Sequence, residues 1–189
     1  MSADPELDFQ TVTVRLRDAS DVTVRAIRAE DADKLQAAIR SLSADGRYSR
    51  FFSSMNELTP QLLDRAAHPD VKKELQLLAV AGSAADEKIV AGTRYSATET
   101  EGDCEFAIAV LDEWQGRGLA RILLETLIVV ARARGFARME GYILASNLAM
   151  LSLAKRLGFE KIESQHGPDV CVVRKDLGTV DSNRIPEIA

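Results

Sequence analysis

The sequence predicts a mixed α/β protein in which a central sheet of about seven strands carries helices on both faces. Three observations predict it. Strand-like and helix-like runs follow in the order β-α-α-β-β-β-α-β-α-β-β, and a glycine turn, Trp114-Gln-Gly-Arg-Gly-Leu-Ala120, joins a buried strand to a long amphipathic helix. With 189 residues, 46% of them hydrophobic, the chain holds one domain with a sizeable core and is short for two.

Residues 11–17 and 22–27 alternate β-branched and polar side chains around Asp18-Ala-Ser-Asp21, a strand pair joined by a turn. The first of these belongs to an N-terminal extension, 1–21, that adds a strand to the domain. From Glu30 to about Leu42, Ala32, Leu35, Ala38, Ile39 and Leu42 share one helical face; a second helix starts at Thr59 with Pro60 as its first residue. Residues 74–81 and 88–97 form an antiparallel hairpin across the small-residue turn GSAADE, and 105–110 is the next strand. Leu119, Ile122, Leu123, Leu127 and Val130 then recur at helical spacing until Gly135. A strand at 138–144 leads to Ser146-Asn147, which caps a helix over 148–157 that Gly158 ends. FEKIES and DVCVVRKDL close the sheet, and the polar tail 178–189 is expected to be flexible.

The glycine turn has the character of an anion cradle, because a helix start after glycines offers unpaired N–H groups and the positive end of the helix dipole. Glycines that merely permit a turn would look the same. A Walker loop is excluded, since no Lys-Ser/Thr follows Gly118. A dinucleotide fingerprint fails at Arg121, where a third glycine or alanine belongs, although Glu140 lies at a suitable distance for a ribose. What remains is Gln115-x-x-Gly118-x-Ala120.

Composition limits the partners. A formal net charge of −5 disfavours nucleic acid. No apolar run approaches the ~20 residues of a membrane span, and the amino terminus has no apolar leader core, so a cytoplasmic protein without membrane contact is expected. Cys104 and Cys171 read as buried reduced thiols rather than a disulfide, and His68 and His166, remote from any cysteine, give no metal site.

The Gln-x-x-Gly-x-Ala loop resembles the acyl-coenzyme A pyrophosphate loop of the GNAT superfamily of N-acyltransferases. A second motif agrees: Asn147 to Phe159 is similar to the family's Asn-x-x-Ala…Leu-Tyr-x-Lys-x-Gly-Phe helix at Asn147, Leu153, Gly158 and Phe159. Together with RAIRAEDADKLQAAIRSLSADGRYSRFF and EFAIAV, these stretches resemble the catalytic domain of bacterial protein lysine acetyltransferases of the Pat type. The resemblance covers about residues 22–177. It implies the GNAT fold, with splayed fourth and fifth strands, and acetyl-CoA as the acetyl donor. The acceptor it implies is a primary amine, a protein lysine ahead of a small molecule; a homodimer is among the assemblies it allows. A noncatalytic acyl-CoA-binding sensor or structural subunit is the reading of another class.

A lysine is almost wholly protonated at neutral pH, so transfer to it needs a base. The resemblance implies that Glu105 is that base, in a partly dry cleft; a strand-edge glutamate facing solvent or an arginine is the alternative. It also implies that backbone groups of Ile108 to Val110 polarise the thioester and pair with the pantetheine arm. Main-chain amides of Gln115, Gly116, Arg117, Gly118, Leu119 and Ala120 would hold the pyrophosphate, with Arg117 and Arg121 adding charge. Asn147 would bond the arm, though capping a helix suffices to explain it. The family's general-acid tyrosine is replaced by Ala154, leaving water, Ser152 or Tyr142 as the proton donor. Arg132, Arg134 and Arg138 read as a solvated face. Acceptor contacts are expected around Arg47, Tyr48, Arg50, Phe51 and Phe52, although the three aromatics read first as core.

Overall fold

The computed structural model describes residues 9–83, 86–163 and 166–178. Part of the expected GSAADE turn (84–85), the end of the expected FEKIES strand with the residue after it (164–165), the start of the N-terminal extension and the tail from 179 lie outside the described residues.

Val12–Arg15 (β1) and Asp21–Ala26 (β2) pair antiparallel, as their alternation predicts, in register from Val12↔Val24 to Arg15↔Asp21. Asp18 shapes the turn between them, accepting from the Ser20 N–H (3.1 Å) and hydroxyl (2.6 Å). The first helix, Ala32–Ser41 (α1), begins later than expected, after a 3-10 turn at Ala29–Asp31. The Asp31 carboxylate accepts the Arg28 N–H (2.8 Å) and so shapes this turn.

The sequence did not announce the next helix, Ala44–Phe51 (α2). None of its residues is buried, so it has no apolar stripe to read, and Ser43 starts it by accepting the Gly46 N–H at 3.1 Å. Pro60–Ala67 (α3) begins as expected, with Thr59 as cap and Pro60 in the first turn. The strands Glu74–Ala81 (β3) and Lys88–Ala97 (β4) have the expected bounds, and Asp103–Val110 (β5) starts two residues early. Leu119–Ala133 (α4), Arg138–Leu144 (β6), Leu148–Arg156 (α5), Glu160–Ile162 (β7) and Val170–Asp176 (β8) complete the elements. The eight strands follow the order β1-β2-β3-β4-β5-β6-β8-β7, a mixed sheet. Among the described residues no helix is long and apolar enough to cross a membrane.

The chain divides into two compact units, one running to Arg94 and including Ala107–Leu124, the other formed by Tyr95–Phe106 and the residues from Glu125 on. In the first, neighbouring residues of β3 face different cores. Leu78 and Val80 pack with Leu35 and Ile39 of α1, whereas Ala79 packs with Leu119 and Leu123 at the start of α4, so helices cover both faces. A buried ion network ties this unit together: Arg25, 3% exposed, clamps Asp31, 1% exposed, at 2.6 and 2.7 Å, and also reaches Glu87 at 2.9 Å.

In the second unit β5 and β6 run parallel, in register from Asp103↔Arg138 to Phe106↔Gly141. Cys104, Phe106, Met139, Gly141 and Ile143 are buried, while Glu105 and the half-buried Arg138, Glu140 and Tyr142 occupy the alternate positions. Gly141 is required there, because a Cβ would stand 2.2 Å from Cε1 of Phe106, whose ring meets Phe159 edge-on at 5.1 Å. Both cysteines are free and buried, and burial pushes the Cys104 thiol up to about 12.

Candidate active site

The glycine loop lies in the first unit and is held in shape by its own side chains. Gln115 folds back, its Nε2 donating to the Val110 carbonyl (3.2 Å) and to Asp112 (3.0 Å), which ties the loop to the end of β5. Gly116 and Gly118 adopt φ of +75° and +93°, a region that side chains disfavour, so both glycines are needed by the backbone itself. At the start of α4 the Ile122 N–H closes onto the Gly118 carbonyl (3.2 Å), and the N–H groups of Leu119 and Ala120, one turn ahead, have no intrahelical acceptor. A short run of donors at a helix start fits a phosphate group.

Arg117 behaves differently from its expected role. Its guanidinium donates to Asp18 (2.7 Å) and to the Glu113 carbonyl (2.6 Å) and stacks over Trp114 at 4.6 Å, so what it offers at the loop is its backbone. The hydrogen bonds from Ser20, followed by the Arg117 charge, hold the Asp18 carboxyl below its usual range. The N-terminal extension therefore braces the loop: Arg17 donates its N–H to the Arg117 carbonyl (3.4 Å), and its side chain lies against Gly118. Ile108 and Val110 are half-buried and pack on the core that Leu119 and Leu123 share.

Glu105 lies in the second unit, in a cleft of about 620 Å³ lined by Ser96–Thr100, Asp103, Glu105, Arg138, Glu140, Tyr142 and Arg174. It is exposed rather than enclosed in a partly dry site. Asp103 pairs with Arg138 at 2.8 Å and Glu140 with Arg174 at 2.6 Å. Arg138 is thus engaged while its side chain stays 41% exposed, and Arg134, read as part of a solvated face, donates to the buried Tyr95 hydroxyl (3.0 Å). Glu140, at the ribose spacing of a dinucleotide fold, serves this cleft instead. Tyr142 stacks edge-on against His166 at 5.0 Å; burial first, then the charges of Glu105 and Glu140, raises its phenol above the usual value and keeps it protonated.

Three further residues take local roles. The Asn147 Oδ1 accepts the Met150 N–H (3.1 Å), so the side chain caps α5. Ala154 is fully buried, and Ser152 is turned to Arg156 (3.0 Å), which leaves Tyr142 as the named donor that lines the cleft. Of the expected acceptor aromatics, Phe51 packs on the core as predicted; Tyr48 and Phe52 are 49% and 38% exposed, because α2 buries no face. As residues of this cleft, Glu140 and Arg174 escaped the sequence reading. Glu140 alternates on β6 with Arg138 and Tyr142, and Arg174 joins it only through the pairing of β6 with β8.

Comparison with known proteins bears on the family and the fold. A family model described as Acetyltransferase (GNAT) family matches residues 38–159. An acetyltransferase of Pseudomonas aeruginosa is 35% identical over 154 residues, 82% of this chain and 81% of that protein. The acetyltransferase Pat of Mycolicibacterium smegmatis is 26% identical over 170 residues, 89% of this chain; the chain spans 47% of that relative's length. The crystal structure of the GNAT domain of S. lividans PAT matches with a TM-score of 0.79 at 29% identity, covering 88% of this chain and 96% of that one.

Proposed function

The chain belongs to the GNAT acetyltransferase family and takes its acetyl group from acetyl-CoA; from that premise we propose that it acetylates a primary amine, a protein lysine, with Glu105 as general base. The observation that carries this reading is the cleft, where the exposed Glu105 stands with Glu99, Asp103 and Glu140 against the two guanidiniums of Arg138 and Arg174, a lining whose excess of carboxylates suits a cationic acceptor. The resemblance of the sequence to Pat-type protein lysine acetyltransferases favours lysine as the acceptor.

Glu105 takes a proton from the acceptor ammonium, directly or through a water, and frees the nitrogen lone pair. That nitrogen attacks the thioester carbonyl carbon; the N–C bond forms, the nitrogen gives up its second proton, the C–S bond breaks, and the departing thiolate gains a proton. The N–H groups from Gly116 to Ala120 bind the pyrophosphate of the donor, and Gln115 keeps the loop in the shape that aims them. The backbone of Ile108 to Val110 pairs with the pantetheine arm, and Asn147 contributes by fixing the start of α5. Tyr142, protonated at neutral pH, is the side chain suited to return the proton. The protein works in the cytoplasm, where acetyl-CoA and protein lysines meet.

The test is acetyl-transfer kinetics of Glu105→Gln between pH 6 and 9. A loss of about 10²- to 10⁴-fold in kcat with an unchanged calorimetric affinity for acetyl-CoA is expected; wild-type rates across that range would remove Glu105 from the mechanism.

A further inference from the structure

The register of the second unit places charged residues in rows across one sheet face. Asp103, Arg138 and Asp176 form one row through the pairs Asp103↔Arg138 and Arg138↔Asp176, and their signs alternate. The next row runs Glu105, Glu140, Arg174, Glu160 through the pairs Glu105↔Glu140, Glu140↔Arg174 and Glu160↔Arg174. Alternation breaks there at one place, where Glu105 and Glu140 stand side by side on strands about 4.8 Å apart. Like charges directly opposite on a sheet are destabilising. Arg174 offsets part of this by donating from Nε to the Oε1 of Glu140, whose side chain is 17% exposed. Among the described residues Oε2 of Glu140 accepts no hydrogen bond, and both glutamates line the cleft.

From this juxtaposition we infer that Glu140 is a specificity-determining residue that binds the acceptor as an ammonium between its own carboxylate and that of Glu105, with Arg174 positioning it. The inference rests on the reading of this cleft as the acceptor site. An ammonium carries three donors and so bridges two carboxylates, one of which then takes the proton. The substrate class is therefore amines that are cationic at neutral pH, selected over nucleophiles that arrive uncharged.

Two probes separate these classes: n-butylamine, a cation near pH 7 like the lysine side chain, and hydroxylamine, which is neutral there. With acetyl-CoA as donor, Glu140→Gln should raise the KM for n-butylamine about tenfold, equivalent to ~1.4 kcal/mol. The KM for acetyl-CoA and the kcat/KM for hydroxylamine should stay within about twofold, and Glu140→Asp, which keeps the charge, should recover part of the loss. An equal loss on both probes, or none on n-butylamine, overturns the inference. Titration of n-butylammonium chloride into the labelled protein gives a readout free of turnover: the Gly141 and Tyr142 amide resonances should shift in the wild type and about tenfold more weakly in Glu140→Gln. Absence of a shift in the wild type overturns the inference, whereas binding without transfer to either amine counts only against the acetyl-transfer reading.

Discussion

Arg25 and Asp31 show how much one pair of side chains can determine without touching the chemistry. Both are almost wholly buried, and Asp31 also fixes the turn ahead of α1, so Asp31→Ala should cost at least ~3 kcal/mol in urea unfolding by leaving a buried guanidinium short of its partner. Hydrogen bonds from Lys34 and Arg25 hold Glu87 below its ordinary carboxylate value. Burial works against the Asp31 charge, and the bonds from Arg25 and the Arg28 N–H outweigh it, leaving Asp31 depressed as well. Groups of this kind contribute stability that is present above the unfolded-state value, about 4, and is lost as pH falls through the lower folded-state values. Unfolding free energy should therefore drop below about pH 4, and less steeply in Glu87→Gln. None of this was legible in the sequence. Arg25 sits in an alternating strand where a polar residue reads as outward, and its partners stand 6 and 62 positions away.

At the scale of elements, the informative cases are β6, α5 and α2. Gly141 clears the Phe106 ring, so Gly141→Val should overpack this side of β6 and cost ~1–3 kcal/mol by thermal or urea unfolding. Asn147→Ala removes a cap and should cost ~1 kcal/mol; if the calorimetric Kd for acetyl-CoA is unchanged, capping is its whole role, and a weakened Kd marks a contact with the arm. The strands β3, β4 and β6 were legible to the residue, since their apolar runs end at turn residues or charges. The helix α2 was not, because none of its residues is fully buried and it contains Gly46. Within the candidate site, the loop and Glu105 could be named from their motifs. Glu140 and Arg174 could not, because strand pairing rather than sequence spacing makes them neighbours.

The whole molecule carries the glycine loop in its first compact unit and the Glu105 cleft in its second. The proposed reaction moves acetyl groups from acetyl-CoA to protein lysines, with the proton leaving through Glu105. The most direct measurement is mass spectrometry of lysine acetylation in a cell lysate incubated with isotopically labelled acetyl-CoA and either the wild-type protein or Glu105→Gln. Labelled lysines above the enzyme-free background are expected with the wild type, and a yield lower by about 100-fold or more with the variant. Label confined to small metabolites, or equal lysine labelling by both proteins, would contradict the proposed reaction.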